Sequence, residues 1–223
     1  MELGTLSPAL ILTLVIGLAL APYVAVMITA FTKLVVVFSL LRNALGLQQT
    51  PPNVVLNGLA IILSAYVMYP VGLEMASAAE PVIEEQRAKD ASAIKVSELL
   101  TIAERAKEPL KGFLIKHTSV EEREFFLKTA QRLLPEDKRA QATANDLIVI
   151  VPAFTVSELA RAFQIGFIIF LPFLVIDLIV ANILQALGMM MLSPTTISLP
   201  FKLLLFVLLD GWSKLIHGLV LTY

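Results

Sequence analysis

The sequence predicts an all-α membrane protein: about four long hydrophobic helices forming hairpins, with a small charged helical insert between the second and third. Three observations predict it. The 223 residues are 57% apolar with a mean hydropathy of +0.83, more than a water-soluble chain of this size usually tolerates. Charge is very uneven: residues 1–73 carry only Glu2, Lys33 and Arg42, residues 74–146 carry 14 acidic and 12 basic side chains, and residues 147–223 carry six charges. The apolar runs reach the ~20 residues needed to span a bilayer, and no strand-like alternation of useful length interrupts them. Three regions follow: a hydrophobic hairpin at 1–73, a charged extracytoplasmic helical domain at 74–146, and a second hydrophobic hairpin at 147–223.

The first apolar block, Leu3–Leu41, is longer than one span and contains one charge, Lys33. Pro8 and Pro22 divide it, and Ala21-Pro22 is the expected kink. No Lys or Arg precedes the apolar run, so it does not read as a cleaved secretory signal. The second block, Val54–Leu73, is uncharged, and Pro51-Pro52-Asn53 before it suits a helix start. The third, Gly166–Leu192, amounts to ~40 Å of helix and must tilt, kink at Pro172 or run past the hydrocarbon. The fourth, Leu199–Leu209, includes Lys202 and is followed by a weakly amphipathic tail with Asp210, Lys214 and His217. It predicts a helix that is not lipid-exposed. In the insert, Ser119-Val-Glu-Glu122 has capping-box spacing for a helix that Pro135 ends, and Val96–Ala106 is a second, shorter helix. Phe125, Phe126, Thr129 and Leu133 fall near one face of the capped helix, and Phe113 and Ile115 are expected to pack the two helices together. A segment of this size is marginal as an independent core and is expected to pack on a neighbour.

Lys33 and Arg42 place the link between the first two spans in the cytoplasm, which puts the charged insert and both ends of the chain outside. There is no cysteine, so neither disulfides nor thiolate metal sites arise, and a formal net charge of −1 offers no basic face for nucleic acid. No phosphate-binding glycine loop, zinc-protease motif or nucleophile elbow is present, and His117 and His217 lack metal-ligand spacing. Neither an enzyme nor a cofactor is predicted.

The informative residues are polar ones in apolar surroundings. Lys33, Glu158, Arg161, Asp177, Asn182, Lys202 and Asp210 would each be costly against lipid and should face protein or water. Glu158 and Arg161, three apart, suit a pair on one helical face. Snorkelling to a span end is the competing reading for Lys33 and Lys202, and helix packing is the competing reading for Asn57, Ser64 and Asn182. Met189-Met190-Met191 is the sharpest local feature. Methionine is unbranched and adaptable, so a ring of such runs could close an aperture and yet deform around a large object. The same run could equally finish an apolar helix.

Pro152–Phe167, PAFTVSELARAFQIGF, and Pro200–Trp212, PFKLLLFVLLDGW, resemble the two signature motifs of the FliP/YscR/SpaP (SctR) family, core export-apparatus proteins of bacterial type III secretion systems. Phe31–Ala60 and Leu187–Pro194 are also similar to that family, so the resemblance covers nearly the whole chain. It implies a pore-forming subunit of the export gate in the bacterial inner membrane, passing unfolded protein substrates. Five copies would join a small two-helix (FliQ/SctS-like) and a larger (FliR/SctT-like) subunit, with switch (FlhB/SctU-like) and large gate (FlhA/SctV-like) proteins nearby. Much of that complex would be lifted toward the periplasm, with the central insert periplasmic. The family's methionine gasket would fall on Met189, Met190 and Met191. The short N-terminus is more similar to the virulence branch than to the flagellar one. Two other classes remain at this point: an ion channel or proton-coupled transporter subunit using Asp177 as a relay, and a structural scaffold without pore contact.

Overall fold

The computed structural model describes residues 8–88, 96–139, 141–189 and 191–223. Among the described residues the chain forms helices and turns, with no strand. The helices run α1 Pro8–Met27, α2 Phe31–Ala44, α3 Asn53–Ala88, α4 Val96–Lys116, α5 Val120–Leu133, α6 Glu136–Arg139, α7 Leu147–Ala186, α8 Pro194–Leu208 and α9 Gly211–Val220. α3 and α7 are each long and apolar enough to cross a membrane. The bent pairs α1–α2 and α8–α9 raise the number of candidate spans to four if each pair counts as one.

The breaks fall where backbone groups find other partners, not at the prolines. α1 continues through Pro22. The chain instead turns by 59° between Met27 and Phe31. There the Thr29 hydroxyl donates to the Ala25 carbonyl at 2.8 Å and the Thr32 hydroxyl to the Val26 carbonyl at 2.9 Å. Side-chain donors thus satisfy carbonyls left open at the end of α1. The kink expected at Pro22 is therefore displaced to Thr29. α7 likewise runs through Pro152 and Pro172 as a 40-residue helix, starting well before the expected Gly166 and stopping short of the expected Leu192. α3 starts at Asn53 as its prolines suggest and continues through Pro70 and Pro81, past Leu73 into the charged segment, so no helix end marks that boundary.

Core packing centres on α2 and α7. α2 buries Lys33, Leu34, Val37, Phe38, Leu41 and Ala44, a stripe at helical spacing. It lies along α7, where Gly166 permits the closest approach. A Cβ at Gly166 would stand 2.2 Å from Leu40 Cδ1. Phe38, Ala60, Ala162 and Leu219 form one core cluster, and Leu41, Phe173 and Phe206 a second. The third joins Phe113 and Leu114 of α4 to Ile150 and Phe154 of α7.

The helical insert packs on these spans. Ser119 caps α5 by accepting from the Glu122 amide at 3.3 Å, as its spacing predicts. α4 extends ten residues beyond the expected Ala106, reaching Lys116. It lies against α3 and α7, while α5 lies against α7. Phe113 thus packs α4 onto α7 instead of onto α5. On the face of α5 that carries Phe125, Phe126, Thr129 and Leu133, Phe125 and Leu133 are exposed and Phe126 and Thr129 half-buried in the single chain.

Candidate functional site

Two buried charge clusters and one tight loop involve nearly all the residues singled out from the sequence. α7 carries a carboxylate in each cluster.

The first cluster surrounds Glu158, which is fully buried because Ser157 and Glu158 fall on the core stripe of α7. Lys33 Nζ on α2 lies 3.2 Å from Glu158 Oε2, with both side chains essentially sequestered from solvent. Arg161 Nη1, one turn along, donates to Glu158 Oε1 at 3.2 Å and to the His117 carbonyl at 2.8 Å. The Tyr223 hydroxyl donates to Glu158 Oε2. The Lys33 ammonium also sits 3.5 Å from the Tyr223 ring centroid, so one cation meets both a carboxylate and an aromatic face. The His117 ring lies 4.7 Å from Phe113 and 5.1 Å from Tyr223, centroid to centroid. Burial, outweighing the attraction of Glu158, pushes the imidazole down to about 4. Ser157 connects the next turn, accepting from the Ser119 amide at 3.0 Å and donating to the Ala153 carbonyl at 2.8 Å. The cluster therefore ties α2, the end of α4, the start of α5, α7 and Tyr223 together.

The second cluster fixes the other hairpin. Lys202 Nζ on α8 lies 2.6 Å from Asp177 Oδ2 and donates to the Ala44 carbonyl at 3.1 Å. Ala44 is the last residue of α2, so the ammonium satisfies an open carbonyl where the helix dipole favours a cation. Ser198, one turn before Lys202 on α8, donates to Asp177 Oδ1. Neither lysine snorkels. Lys33 and Lys202 are buried and paired, because their partners project from α7 across the chain.

Asn182 is exposed on α7. Asp210 is exposed at the 61° bend between α8 and α9, with a left-handed backbone of φ 51°. Neither joins a cluster. Arg42 ties the loop after α2 to the start of α3 by donating to the Pro51 carbonyl at 3.3 Å and to the Asn53 side chain.

The methionine run occupies a loop. α7 stops at Ala186 in a left-handed glycine cap: Gly188 has φ 71°, its amide donates to the Gln185 carbonyl at 3.1 Å, and the Met189 amide donates to the Leu184 carbonyl at 2.9 Å. Ser193 and Pro194 then start α8, with proline at a first-turn position where its missing N–H costs nothing. Met189 is half exposed and Met191 fully exposed, while Met190 lies outside the described residues. The reading in which these methionines finish an apolar helix is overturned, since the helix ends before them.

His117, Ser157, Ser198 and Tyr223 are cluster members that the sequence reading missed. Ser198 had a signal, because it lies one turn from Lys202. Tyr223 had none, since its partners are 65 and 193 residues away. No group of three or more His, Cys, Asp or Glu suited to a metal occurs among the described residues.

The FliP family profile matches residues 14–219. The chain belongs to the FliP family. It is 48% identical over 215 residues to the hypersensitivity response secretion protein HrcR of Ralstonia nicotianae, covering 96% of this chain and 97% of that protein. It is 50% identical over 206 residues to the Yop proteins translocation protein R of Yersinia pestis, covering 92% of each. It is also 43% identical over 207 residues to the flagellar biosynthetic protein FliP of Caulobacter vibrioides, covering 92% of this chain and 73% of that protein. This FliP-family chain is a component of the type III secretion export apparatus, on the virulence branch. By name these relatives are a secretion protein, a translocation protein and a flagellar biosynthetic protein.

Proposed function

We propose that this chain is a pore-forming subunit of the export gate, with the loop after α7 lining and closing the passage for unfolded substrates across the inner membrane. The observation that carries the reading is the methionine loop. A glycine cap and a proline start hold it between two helices, the Asp177–Lys202 pair braces those helices, and its described methionines face outward. One loop closes nothing, but five copies around an axis would bring fifteen thioether side chains to a single constriction. Apolar closure disfavours a continuous water column, and flexible side chains seal by dispersion without one fixed shape.

The same reading assigns the exposed apolar and polar residues of α7, α9 and the bend before α9, including Asn182 and Asp210, to contacts with neighbouring copies and with the two-helix and larger export subunits. It places the α4–α6 segment on the periplasmic side. Family membership and the engagement of Asp177 by Lys202 and Ser198 weigh against the ion-relay alternative.

Replacing all three methionines with alanine shortens every side chain at the constriction. The expected result is ion or small-solute leakage in cells carrying the complete export complex, with secretion at least partly retained. Three leucines should seal but pass substrate less readily, because branching limits adaptation. A triple-alanine variant that assembles, secretes and holds the membrane as tightly as the parent removes the gasket assignment.

A further inference from the structure

We propose that this chain binds an anionic phospholipid where α3, α4, α7 and Tyr223 meet, with the acyl chain in an apolar groove and the phosphate in an adjoining basic pocket. The proposal does not depend on the pore reading.

Two cavities carry it, and they share Lys116 and His117 as a common wall. The first, about 620 Å³, lies between α3 and α4, and Tyr66, Val67, Tyr69, Pro70 and Val71 make its α3 side. The second, about 420 Å³, is walled by Lys33, Lys116, Arg161 and Gln164, with Thr222 at its edge. Apolar and cationic surfaces therefore stand side by side, which is the chemistry of an amphiphile with a negative head.

The basic pocket holds unspent capacity. Glu158 is the carboxylate in contact there, and both Lys33 and Arg161 share it. Lys116 donates to a main-chain oxygen of Tyr223 at 3.1 Å and pairs with no Asp or Glu side chain among the described residues. Among acidic side chains, only Glu158 pairs with these cations in the described residues, while Glu74 lines the groove. His117 adds an independent sign. Its residue is 5% exposed, and its Nε2 is buried without a hydrogen-bond partner, a costly state unless a ligand supplies one.

Depth agrees with a headgroup. Tyr66 and Tyr69 are 69% and 65% exposed on the last turns of the apolar part of α3, and Glu74 is the first charge beyond them. Exposed tyrosines at the polar end of a span mark the membrane interface, where lipid phosphates lie. The groove's α3 wall runs from Tyr66 to Glu74, at that level, and the basic pocket adjoins it at Lys116 and His117. A lipid satisfies both cavities, whereas an acidic side chain of a partner protein would fill the basic pocket and leave the groove bare.

The full chain, purified in a zwitterionic detergent, should be titrated with phosphatidylglycerol and with phosphatidylcholine of the same acyl chains, and bound lipid read by native mass spectrometry. Phosphatidylglycerol should be retained and phosphatidylcholine lost. Lys116→Gln should weaken phosphatidylglycerol about fivefold, the effect of one basic residue beside an anionic lipid. Tyr66→Ser with Tyr69→Ser should weaken retention as well. All three side chains are exposed, so these changes leave the core intact. Equal retention of the two lipids, or variants that bind as the parent does, overturns the proposal. Glycerol 1-phosphate in excess should not displace the lipid. If it does, the pocket recognises an anion alone, the groove has no role, and an acidic group of a partner protein takes the lipid's place.

Discussion

Asp177 and Lys202 show how a membrane-buried charge acts when each has one dominant partner. Their 2.6 Å contact joins α7 to α8, and the same ammonium closes the end of α2. Removing one member strands the other, at a cost of about 3–5 kcal/mol, whereas removing both often costs little. Asp177→Leu should therefore abolish accumulation of the assembled complex. Asp177→Leu with Lys202→Leu should restore much of it, and Asn182→Leu, at an exposed position, should leave the fold of the single chain intact. Blue-native electrophoresis of membrane extracts reads all three, and a double variant no better than Asp177→Leu refutes the pairwise account. His117 carries a pH signature. Its folded value is depressed to about 4 from 6.5, so between those values the unfolded chain binds more protons. Stability should be complete above about 6.5, fall as pH drops toward 4, and level off below. Thermal unfolding in detergent across that range should show the decline, and His117→Phe should blunt it; an unchanged profile in the variant refutes the assignment.

At the scale of elements, the governing contact is the crossing of α2 and α7. It brings both buried lysine systems into register, because Lys33 and the Ala44 carbonyl lie on one α2 stripe and Glu158 and Asp177 on α7. Gly166 permits that approach. Its helical backbone is ordinary, so the requirement is space for Leu40 and not conformational freedom. Gly166→Ala must push the helices apart or force Leu40 out of its rotamer, typically at ~1–3 kcal/mol. The expected outcome is a lower unfolding midpoint and reduced secretion, with partial recovery when Leu40→Ala is added. Loss of stability equal in the single and double variants argues against this contact.

The whole chain exposes 14,859 Å², against roughly 10,000 Å² for a compact monomer of its mass. Much of the excess is apolar: Leu18, Ile62, Phe167, Ile168, Val207 and Leu208 all stand open. Such a surface needs lipid or protein across it. Lipid can cover the aliphatic bands, but Asn182 and the charged Asp210 require polar partners. We expect a stoichiometric assembly, with five copies in the reading proposed here. Native mass spectrometry of the detergent-extracted complex measures the copy number directly. A stable monomer without partner subunits removes the assembly reading, and another copy number removes the five-fold one.

By itself the sequence determined the membrane character, the helical class and the family, because these depend on properties written locally: charge density, apolar run length and contiguous motifs. It also marked Glu158 and Arg161 as a pair, since one helical turn separates them, and it placed the Ser119 cap. It misplaced the first bend, because the deciding event was carbonyl capture by Thr29 and Thr32 and not the more conspicuous Pro22. It left Lys33 and Lys202 open to snorkelling, since a lysine's depth depends on which carboxylate crosses to meet it. Glu158 lies 125 residues from Lys33 in the chain, and no periodicity encodes that distance. Tyr223 and the orphaned Nε2 of His117 were invisible for the same reason. Tertiary structure alone decided them, because burial and hydrogen-bond partnership are properties of the crossing helices, and only the packed fold brings those distant residues to one place.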